Sequence, residues 1–350
     1  MRIKESVMRL EAYVPGEQPK SKDVVKLNTN ENPYPPSPKC AEVLSGFDLD
    51  RLRRYPDPEF ALLRAEIARQ NATTPDRVFV GNGSDEILSL MAKAFVEDGE
   101  EIGSLDPSYS LYKTLAAIRD VKWVGTPIHS DTKVSKRAKA TPSRVSLFLW
   151  TNPNAPTGEF AEPKKIAAFA RKFPGVVVVD EAYADFARGN CMSLATAPRN
   201  RNVIVMRTFS KSYSLAGLRV GYCVGPKDLI EALYKVKDSY NVDAIAQAVA
   251  IAALKDRRYH KKTVAKVVKT RKAFSKALSA RGWDVLPSES NFVFAKPPAP
   301  AKAADVFDSL RKANIFVRYF PGPLTGDRLR ITIGTDEQME TLLSALDALV

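Results

Sequence analysis

Short apolar segments alternate with helical segments through the first two thirds of the chain, and this alternation restricts the fold more than any other feature. The run Val176–Val179 contains only valine and is too short for a helix, so it is typical of a strand buried on both faces. The pattern also predicts strands at Arg77–Val80, Val121–Val124, Val145–Trp150 and Val203–Arg207, and helices at Phe60–Gln70, Ser84–Phe95 and Pro163–Lys172. Nearly continuous apolar strands separated by helices predict an α/β fold with a mostly parallel sheet.

The 350 residues are enough for about two domains. After Gly225 a long helical stretch precedes further predicted elements, which are strands at Asn291–Ala295, Ile315–Tyr319 and Arg328–Ile333 and a last helix from Glu337. The first 35 residues are polar and rich in proline. We therefore predict an N-terminal arm over residues 1–35, a large α/β domain over 36–240 and a smaller C-terminal α+β domain over 241–350.

Lysine and arginine outnumber aspartate and glutamate by 53 to 40, which gives a net charge of +13. Such an excess of positive charge can bind a nucleic acid or an anionic small molecule, or it can simply lie on a solvated surface. The cations are dense in Lys133–Arg144 and in Arg257–Lys276, and apolar residues recur between the second set at helical spacing. We interpret the second stretch as an amphipathic helix with a solvated basic face, because no zinc-knuckle spacing or RNA-binding aromatic signature accompanies it. A nucleic-acid-binding protein is the alternative from a different class.

The three cysteines, Cys40, Cys191 and Cys223, are far apart and odd in number, so they fit neither a disulfide framework nor a metal site. No apolar run approaches the roughly 20 residues that span a bilayer. The N-terminal residues also lack the apolar core of a signal peptide. We therefore expect a cytoplasmic protein.

Asp180 follows the valine strand directly, at the sheet edge where open parallel sheets bind ligands. A carboxylate there could ligate a metal, cap a helix or pair with a protonated ring nitrogen. No histidine or second carboxylate supports a metal, and His129 and His260 lie in segments without such partners. We therefore predict no metal site and no catalytic histidine.

Lys211 gives the sharpest signal, because it lies among hydroxyl residues in a turn that follows a predicted strand. A lysine nucleophile needs a lowered pKa and an aldehyde, and a phosphate needs an arginine, hydroxyls and helix-end N–H groups. Ser210, Arg219 and the turn Gly83–Asp85 supply the phosphate-binding set, and Asp180 supplies the counter-charge. Together these residues predict a pyridoxal phosphate site.

With these motifs in this order, the sequence resembles the fold-type I aminotransferases and, within them, the histidinol-phosphate aminotransferase subfamily. The segments that carry the resemblance, spread over nearly the whole chain, are Leu27–Pro33, Arg54–Asp57, Gly81–Glu86, Asn152–Gly158, Asp180–Tyr183, Ser210–Arg219 and Leu329–Thr335. The resemblance implies transamination between histidinol phosphate and 2-oxoglutarate, which gives imidazole-acetol phosphate and glutamate in histidine biosynthesis. It also implies a homodimer with bound pyridoxal 5′-phosphate.

The resemblance also implies roles for single residues. Lys211 would be the Schiff-base lysine, Asp180 the partner of the pyridine nitrogen and Tyr183 a hydrogen-bond partner of the ring's phenolic oxygen. Tyr109 would stack on the ring. The residues implied to hold the phosphate are Gly83, Ser84, Asp85, Ser210 and Arg219.

Tyr55 matches a tyrosine that in this family reaches into the neighbouring subunit's site. Tyr13, Asn30, Arg318 and Arg330 match the family's substrate-binding positions. Two rival activities on the same scaffold stay open at this point, an aromatic amino acid aminotransferase and, further off, a phosphothreonine decarboxylase.

One position departs from the family pattern. The residue before Pro-Thr-Gly is usually an asparagine whose side chain meets the phenolic oxygen, and here it is Ala155, preceded by Asn154. Either the loop shifts so that Asn154 serves, or Tyr183 acts there alone. We assign Asn154 to the cofactor site as an expectation.

Overall fold

The structure is a computed structural model and describes residues 3, 5–10, 16–19, 21, 23–128 and 144–349. The strands of these residues are, in chain order, β1 (Val25–Lys26), β2 (Val78–Gly81), β3 (Glu101–Asp106), β4 (Lys122–Pro127), β5 (Val145–Thr151), β6 (Val176–Asp180), β7 (Val203–Thr208), β8 (Gly221–Val224), β9 (Asp284–Val285), β10 (Phe292–Lys296), β11 (Ile315–Phe316), β12 (Arg318–Tyr319) and β13 (Leu329–Thr332). The α-helices are α1 (Glu5–Met8), α2 (Pro38–Ser45), α3 (Ala61–Gln70), α4 (Ser84–Phe95), α5 (Leu111–Ile118), α6 (Pro163–Ala170), α7 (Met192–Thr196), α8 (Lys227–Val236), α9 (Ala244–Lys255), α10 (Arg257–Ala280), α11 (Ala303–Lys312) and α12 (Asp336–Asp347). Short 3₁₀ helices lie at Leu49–Arg53, Pro75–Arg77, Ala184–Phe186 and Ala216–Leu218.

The larger sheet has seven strands in the order β2-β8-β7-β6-β5-β3-β4. The five strands β7, β6, β5, β3 and β4 are parallel to one another, and β8 runs antiparallel to the two strands beside it, β2 and β7. The predicted fold class, α/β with a mostly parallel sheet, is confirmed. The carboxyl ends of β5, β6 and β7 therefore meet at one edge, where Thr151 pairs with Asp180 and Asp180 pairs with Met206, two residues before the end of β7.

Burial on both faces explains why β6 is made of valine. Val177 and Val179 pack into one hydrophobic core, and Val178 packs into a second core on the other face of the sheet. Successive side chains of a strand point to opposite faces, so a strand covered on both sides needs apolar residues at every position.

β3 was not predicted, because Gly103 and Ser104 interrupt its apolar pattern. The glycine is required by the packing, since a Cβ at residue 103 would lie 2.8 Å from a ring carbon of Phe148 on the neighbouring strand. β8 was also missed, because it is short and begins with glycine.

The smaller sheet is antiparallel, in the order β12-β13-β10-β9, and a third hydrophobic core joins it to α10, α11 and α12. The single strand predicted at Ile315–Tyr319 is divided. Phe316 pairs with Lys26 in a separate two-stranded sheet, whereas Arg318 pairs with Arg330.

The division of the chain at residue 240 stays a prediction. Val242 and the buried residues of α9 pack into a core of the larger sheet, and α9 contacts α2 and α3. These contacts favour a boundary after α9, near the start of α10.

The predicted basic amphipathic helix is present as α10, which buries Val267, Phe274 and Leu278 and exposes most of its lysines. Most of the other basic stretch, Lys133–Arg144, lies outside the described residues. Across the described parts of the chain, no helix combines the length and the apolar composition that crossing a membrane requires.

Candidate active site

A cavity of about 540 Å³ opens where β5, β6 and β7 end. The sequence-predicted residues that line it are Asn30, Ser84, Asp85, Tyr109, Asp180, Tyr183, Ser210, Lys211, Arg219, Arg318 and Arg330. They come from the start of the chain, the larger sheet and the smaller sheet. The fold therefore gathers most of the predicted site into one place.

One end of the cavity is formed by Ser84, Ser210 and Arg219 at the start of α4. Arg219 donates to Ser210 Oγ at 3.2 Å and lies 3.5 Å from Asp85 Oδ2, and Ser84 begins α4 beside it. Gly83 has a φ of +84°, and a Cβ there would lie 2.5 Å from Arg219 Nη2. The glycine thus admits the guanidinium, which adds its charge to the N–H groups at the helix start.

Asp180 is a buried carboxylate at the end of β6. It accepts hydrogen bonds from Tyr112 Oη at 2.8 Å and from the backbone N–H of Ala182 at 3.1 Å, both neutral donors. Burial raises the pKa of Asp180 to about 6, because a charged carboxylate is disfavoured away from water. A cation placed in the cavity would stabilise its charged form.

Lys211 lies in the turn after β7, and its Nζ donates to the backbone carbonyl of Thr29 at 3.1 Å. Burial and, secondarily, the positive charge of Arg330 lower the pKa of Lys211 to about 8. A larger fraction of this amine is therefore neutral at pH 7 than of an ordinary lysine, and the neutral amine is the nucleophile.

Tyr109 and Tyr183 bring two phenols to the cavity. Tyr109 donates to Asp85 Oδ1 at 3.3 Å, and its ring meets that of Tyr112 edge to face. Tyr183 accepts a hydrogen bond from Asn30 Nδ2 at 3.0 Å. Its ring packs at 89° against the ring of Phe292, with centroids 5.1 Å apart, so its position is well defined.

Two arginines project from the smaller sheet. Arg318 and Arg330 lie directly opposite each other on β12 and β13, so their side chains leave the same face of the sheet. Both guanidinium carbons lie 5.2 Å from the centroid of Phe320, which also lines the cavity. Arg330 Nη2 donates to the backbone carbonyl of Asn28 at 2.8 Å. The arrangement concentrates two positive charges at this end of the cavity.

Asn154 does not line the cavity. Its carboxamide donates to the Pro107 carbonyl and to Thr157 Oγ1 and accepts from Ser108 Oγ, so it fixes the turn that carries Tyr109. Ala155 is the residue of that loop that faces the cavity. The expectation that Asn154 serves there has no support in this geometry.

Other predicted residues lie elsewhere. Tyr55 is 80% exposed, and its ring stacks on Tyr240 at 4.3 Å rather than lining the cavity of its own chain. Tyr13 and His129 lie outside the described residues. The described residues hold no group of three or more His, Cys, Asp or Glu side chains that could bind a metal ion.

His260 is not a cavity residue, but it has a carboxylate partner that its own sequence segment did not reveal. Its Nε2 lies 3.4 Å from Asp185 Oδ2, and its ring stacks on Tyr213. Burial alone would raise the pKa of Asp185, yet its contacts with His260, Arg207 and Ser212 hold that pKa well below its ordinary value. The three side chains form a partly buried cluster with Ser212, which follows Lys211 directly in the chain.

Sequence reasoning missed three contributors to the site. Tyr112, which contacts Asp180, is hidden in the apolar pattern of α5, and Thr29 acts through its backbone carbonyl. Phe320 follows Arg318 by two residues, so its spacing along a strand could have placed it on the same face.

The comparisons with known proteins agree with this geometry. Residues 22–346 match the family described as Aminotransferase class I and II. The histidinol-phosphate aminotransferase of Syntrophotalea carbinolica is 45% identical to this chain, over 98% of each protein. That of Acetobacter pasteurianus is 43% identical, over 97% of this chain and 95% of the relative.

A solved structure gives the same result. The crystal structure of histidinol-phosphate aminotransferase from Sinorhizobium meliloti in complex with pyridoxal-5′-phosphate superposes with a TM-score of 0.90 and 26% identity. The match covers all of this chain and 98% of the other. The chain therefore belongs to the class I and II aminotransferases and, within them, to the histidinol-phosphate aminotransferase family.

Proposed function

We propose that this protein transfers the amino group of histidinol phosphate to 2-oxoglutarate with pyridoxal 5′-phosphate as cofactor. The products would be imidazole-acetol phosphate and glutamate, as in histidine biosynthesis. The observation that carries the proposal is one cavity that combines a lysine of lowered pKa, a buried carboxylate and two facing arginines.

The residues present fit the cofactor. Ser84, Ser210 and Arg219 would hold its phosphate at the start of α4, where Gly83 leaves room for the guanidinium. Among the described residues, the donors to the buried carboxylate of Asp180 are neutral, so a protonated ring nitrogen would complete its environment. Lys211 supplies the amine for the covalent link.

When bound, pyridoxal phosphate supplies the electron sink for the reaction at the donor's Cα. Asp180 would keep the ring nitrogen protonated, since a nearby carboxylate favours the charged form of that nitrogen and raises its pKa. Lys211 Nζ takes the proton that leaves Cα, a task suited to an amine whose pKa is near neutral. Tyr109 lines the cavity wall and, as the family resemblance implies, would cover one face of the ring.

The two arginines support a phosphate-bearing donor. Arg318 and Arg330 lie directly opposite each other on antiparallel strands, and both guanidinium groups contact Phe320 at the cavity wall. An anion bound between them would be attracted by both positive charges. A phosphate carries close to two negative charges at pH 7, so it gains more from the pair than a single carboxylate does.

We expect Arg318→Ala to weaken the reaction with histidinol phosphate far more than the reaction with 2-oxoglutarate, which should depend mainly on Arg330. The loss of a hydrogen bond to a charged group corresponds to about 10–150-fold in kcat/KM for histidinol phosphate. Each half-reaction can be followed separately from the absorbance of the bound cofactor, with histidinol phosphate, phenylalanine, tyrosine and phosphothreonine as donors.

Arg281→Ala is a matched control, because this arginine pairs with Asp347 away from the cavity. It should leave all four donors unchanged. If the unsubstituted protein prefers an aromatic amino acid, or if Arg318→Ala weakens phenylalanine as much as histidinol phosphate, the phosphate donor is wrong and an aromatic aminotransferase takes its place. Release of carbon dioxide from phosphothreonine would indicate the decarboxylase.

The lowered pKa of Lys211 predicts the pH dependence of cofactor capture. Only the neutral amine attacks the aldehyde, so the rate at which the cofactor-free protein captures pyridoxal phosphate should rise up to a pH of about 8 and then level off. An ordinary lysine would continue to gain reactivity to a pH of about 10.4. Stopped-flow absorbance between pH 6 and pH 10 measures this, and a rate still rising steeply above pH 9 would contradict the assigned environment.

We further propose a homodimer in which Tyr55 serves the partner's cavity. Large apolar residues are unusually exposed in the segment 44–62, namely Leu44, Leu49, Leu52, Tyr55 and Leu62. Exposed apolar residues concentrated in one segment favour a protein interface. A cytoplasmic location is also proposed, and the three buried cysteines, which are all free, support a reducing compartment.

A further inference from the structure

Asn30 is buried, and its backbone is fixed by hydrogen bonds. It is 1% exposed and has a φ of +57°, a left-handed conformation that asparagine tolerates better than most residues. Its backbone N–H donates to Thr332 Oγ1 at 3.0 Å, and its backbone carbonyl accepts from Asn291 Nδ2 at 2.9 Å. The strands of the smaller sheet thus fix its backbone.

The side chain of Asn30 is fixed in a particular orientation. Thr332 Oγ1 donates to Asn30 Oδ1 at 3.0 Å, so the NH₂ group is the end that faces Tyr183. From there Nδ2 donates to Tyr183 Oη at 3.0 Å. An amide NH₂ can only donate, so the phenol oxygen must accept at this contact.

This contact determines where the proton of Tyr183 can point. Because Oη accepts from Asn30, its own O–H is directed away from Asn30, and Tyr183 lines the cavity on its other side. Ala155 also lines the cavity, but its methyl side chain cannot donate a hydrogen bond to the cofactor. The carboxamide of Asn154 donates instead to Pro107 and Thr157.

We propose that Asn30 is a positioning residue that orients the Tyr183 hydroxyl so that it donates a hydrogen bond to the cofactor's phenolic oxygen. The inference rests on the proposed function, since it assumes that pyridoxal phosphate occupies the cavity. It gives Asn30 a role different from the substrate contact expected from the sequence.

The proposal has a spectroscopic consequence. In the loaded protein the cofactor's phenolic oxygen would carry negative charge, and Lys211 Nζ, when protonated, would donate a hydrogen bond to it. A hydrogen bond from Tyr183 would therefore stabilise the form in which Lys211 Nζ is deprotonated more than the protonated form. Loss of the hydrogen bond should raise the apparent pKa of the bound-cofactor absorbance band by about one unit, a tenfold change in proton affinity.

The test compares Asn30→Asp, Asn30→Gly and Tyr183→Phe in the cofactor-loaded protein, by absorbance titration without substrate. Aspartate has the same shape as asparagine and tolerates the left-handed backbone. Its carboxylate, however, accepts a hydrogen bond from the Tyr183 hydroxyl instead of donating one to it. Glycine also tolerates this backbone and removes the side chain without adding charge. All three variants should raise the apparent pKa, with Asn30→Asp closest to Tyr183→Phe.

Double variants separate this role from a general effect on the cavity. If Asn30 acts through Tyr183, Asn30→Gly should add no shift in the Tyr183→Phe background, and Asn30→Asp should add far less than it does alone. Asp180, Lys211 and the other charged groups that line the cavity, Glu31, Asp85, Arg219, Arg318 and Arg330, are unchanged throughout, so the differences report the two substituted residues. Thermal unfolding of each variant checks that the fold is retained.

The proposal is wrong if both Asn30 variants titrate like the unsubstituted protein while Tyr183→Phe is shifted, or if their shifts persist undiminished without the Tyr183 hydroxyl. A protein that captures no pyridoxal phosphate would instead contradict the proposed function, and the inference would fall with it. The two failures are therefore distinguishable from the spectrum of the unsubstituted protein.

Discussion

Replacing Lys211 with alanine is expected to abolish transamination while the fold is retained. The variant loses both the amine that binds the cofactor covalently and the base that takes the Cα proton. The base alone accounts for up to about 10⁴-fold in rate, so turnover should fall by more than this. Steady-state assays with histidinol phosphate measure the loss, and the anion site at Ser210 and Arg219 should still bind some cofactor without a covalent link.

Lys235→Ala is the matched control, because Lys235 is an exposed lysine in the last turn of α8. It should keep full activity. Borohydride reduction of the loaded protein followed by peptide mapping should place the cofactor on the peptide that contains Lys211. A label on any other lysine would show that the nucleophile has been misassigned.

The second large effect is expected at Asp180. Asp180→Ala and the isosteric Asp180→Asn both remove the charge that keeps the ring nitrogen protonated. Removal of one partner of a buried ion pair costs about 3–5 kcal/mol, which corresponds to about 10²–10⁴-fold in the Cα deprotonation step. Single-turnover measurements with histidinol phosphate isolate this step from binding and product release.

Tyr112→Phe provides the comparison for Asp180, because it removes only the neutral hydrogen bond to Oδ2. Its effect should stay within about tenfold, the range of an ordinary hydrogen bond. Near-normal rates in Asp180→Asn would mean that another group protonates the ring nitrogen.

The sequence predicted the site residues best where local chemistry and sheet geometry act together. Asp180 ends β6 and Lys211 follows β7, and parallel strands end at the same edge of a sheet, so their proximity needs no knowledge of the rest of the chain. The helix predicted at Ser84–Phe95 begins and ends at the same residues in the structure, because the turn at Gly83 and the acidic first turn mark its start.

Features that depend on pairing between distant segments could not be predicted in the same way. The sequence does not show that Arg318 lies opposite Arg330, since that depends on the register of β12 and β13. The hydrogen bond from Asn30 to Tyr183 joins residues that no periodic pattern relates. Likewise, the engagement of Asn154 with Pro107 follows from the course of two loops.

The bond between Asn30 and Thr332 joins residues 302 positions apart, and the parallel pairing of β1 with β11 has a similar span. Contacts of such length require a large loop to close before they give any stabilisation, and they form late in folding. During synthesis from the N-terminus the larger sheet can therefore assemble while β1 still has no partner. Thr29 and Asn30 reach the cavity only after β13 has emerged from the ribosome, so a nascent chain can bury its main core well before it has an active site.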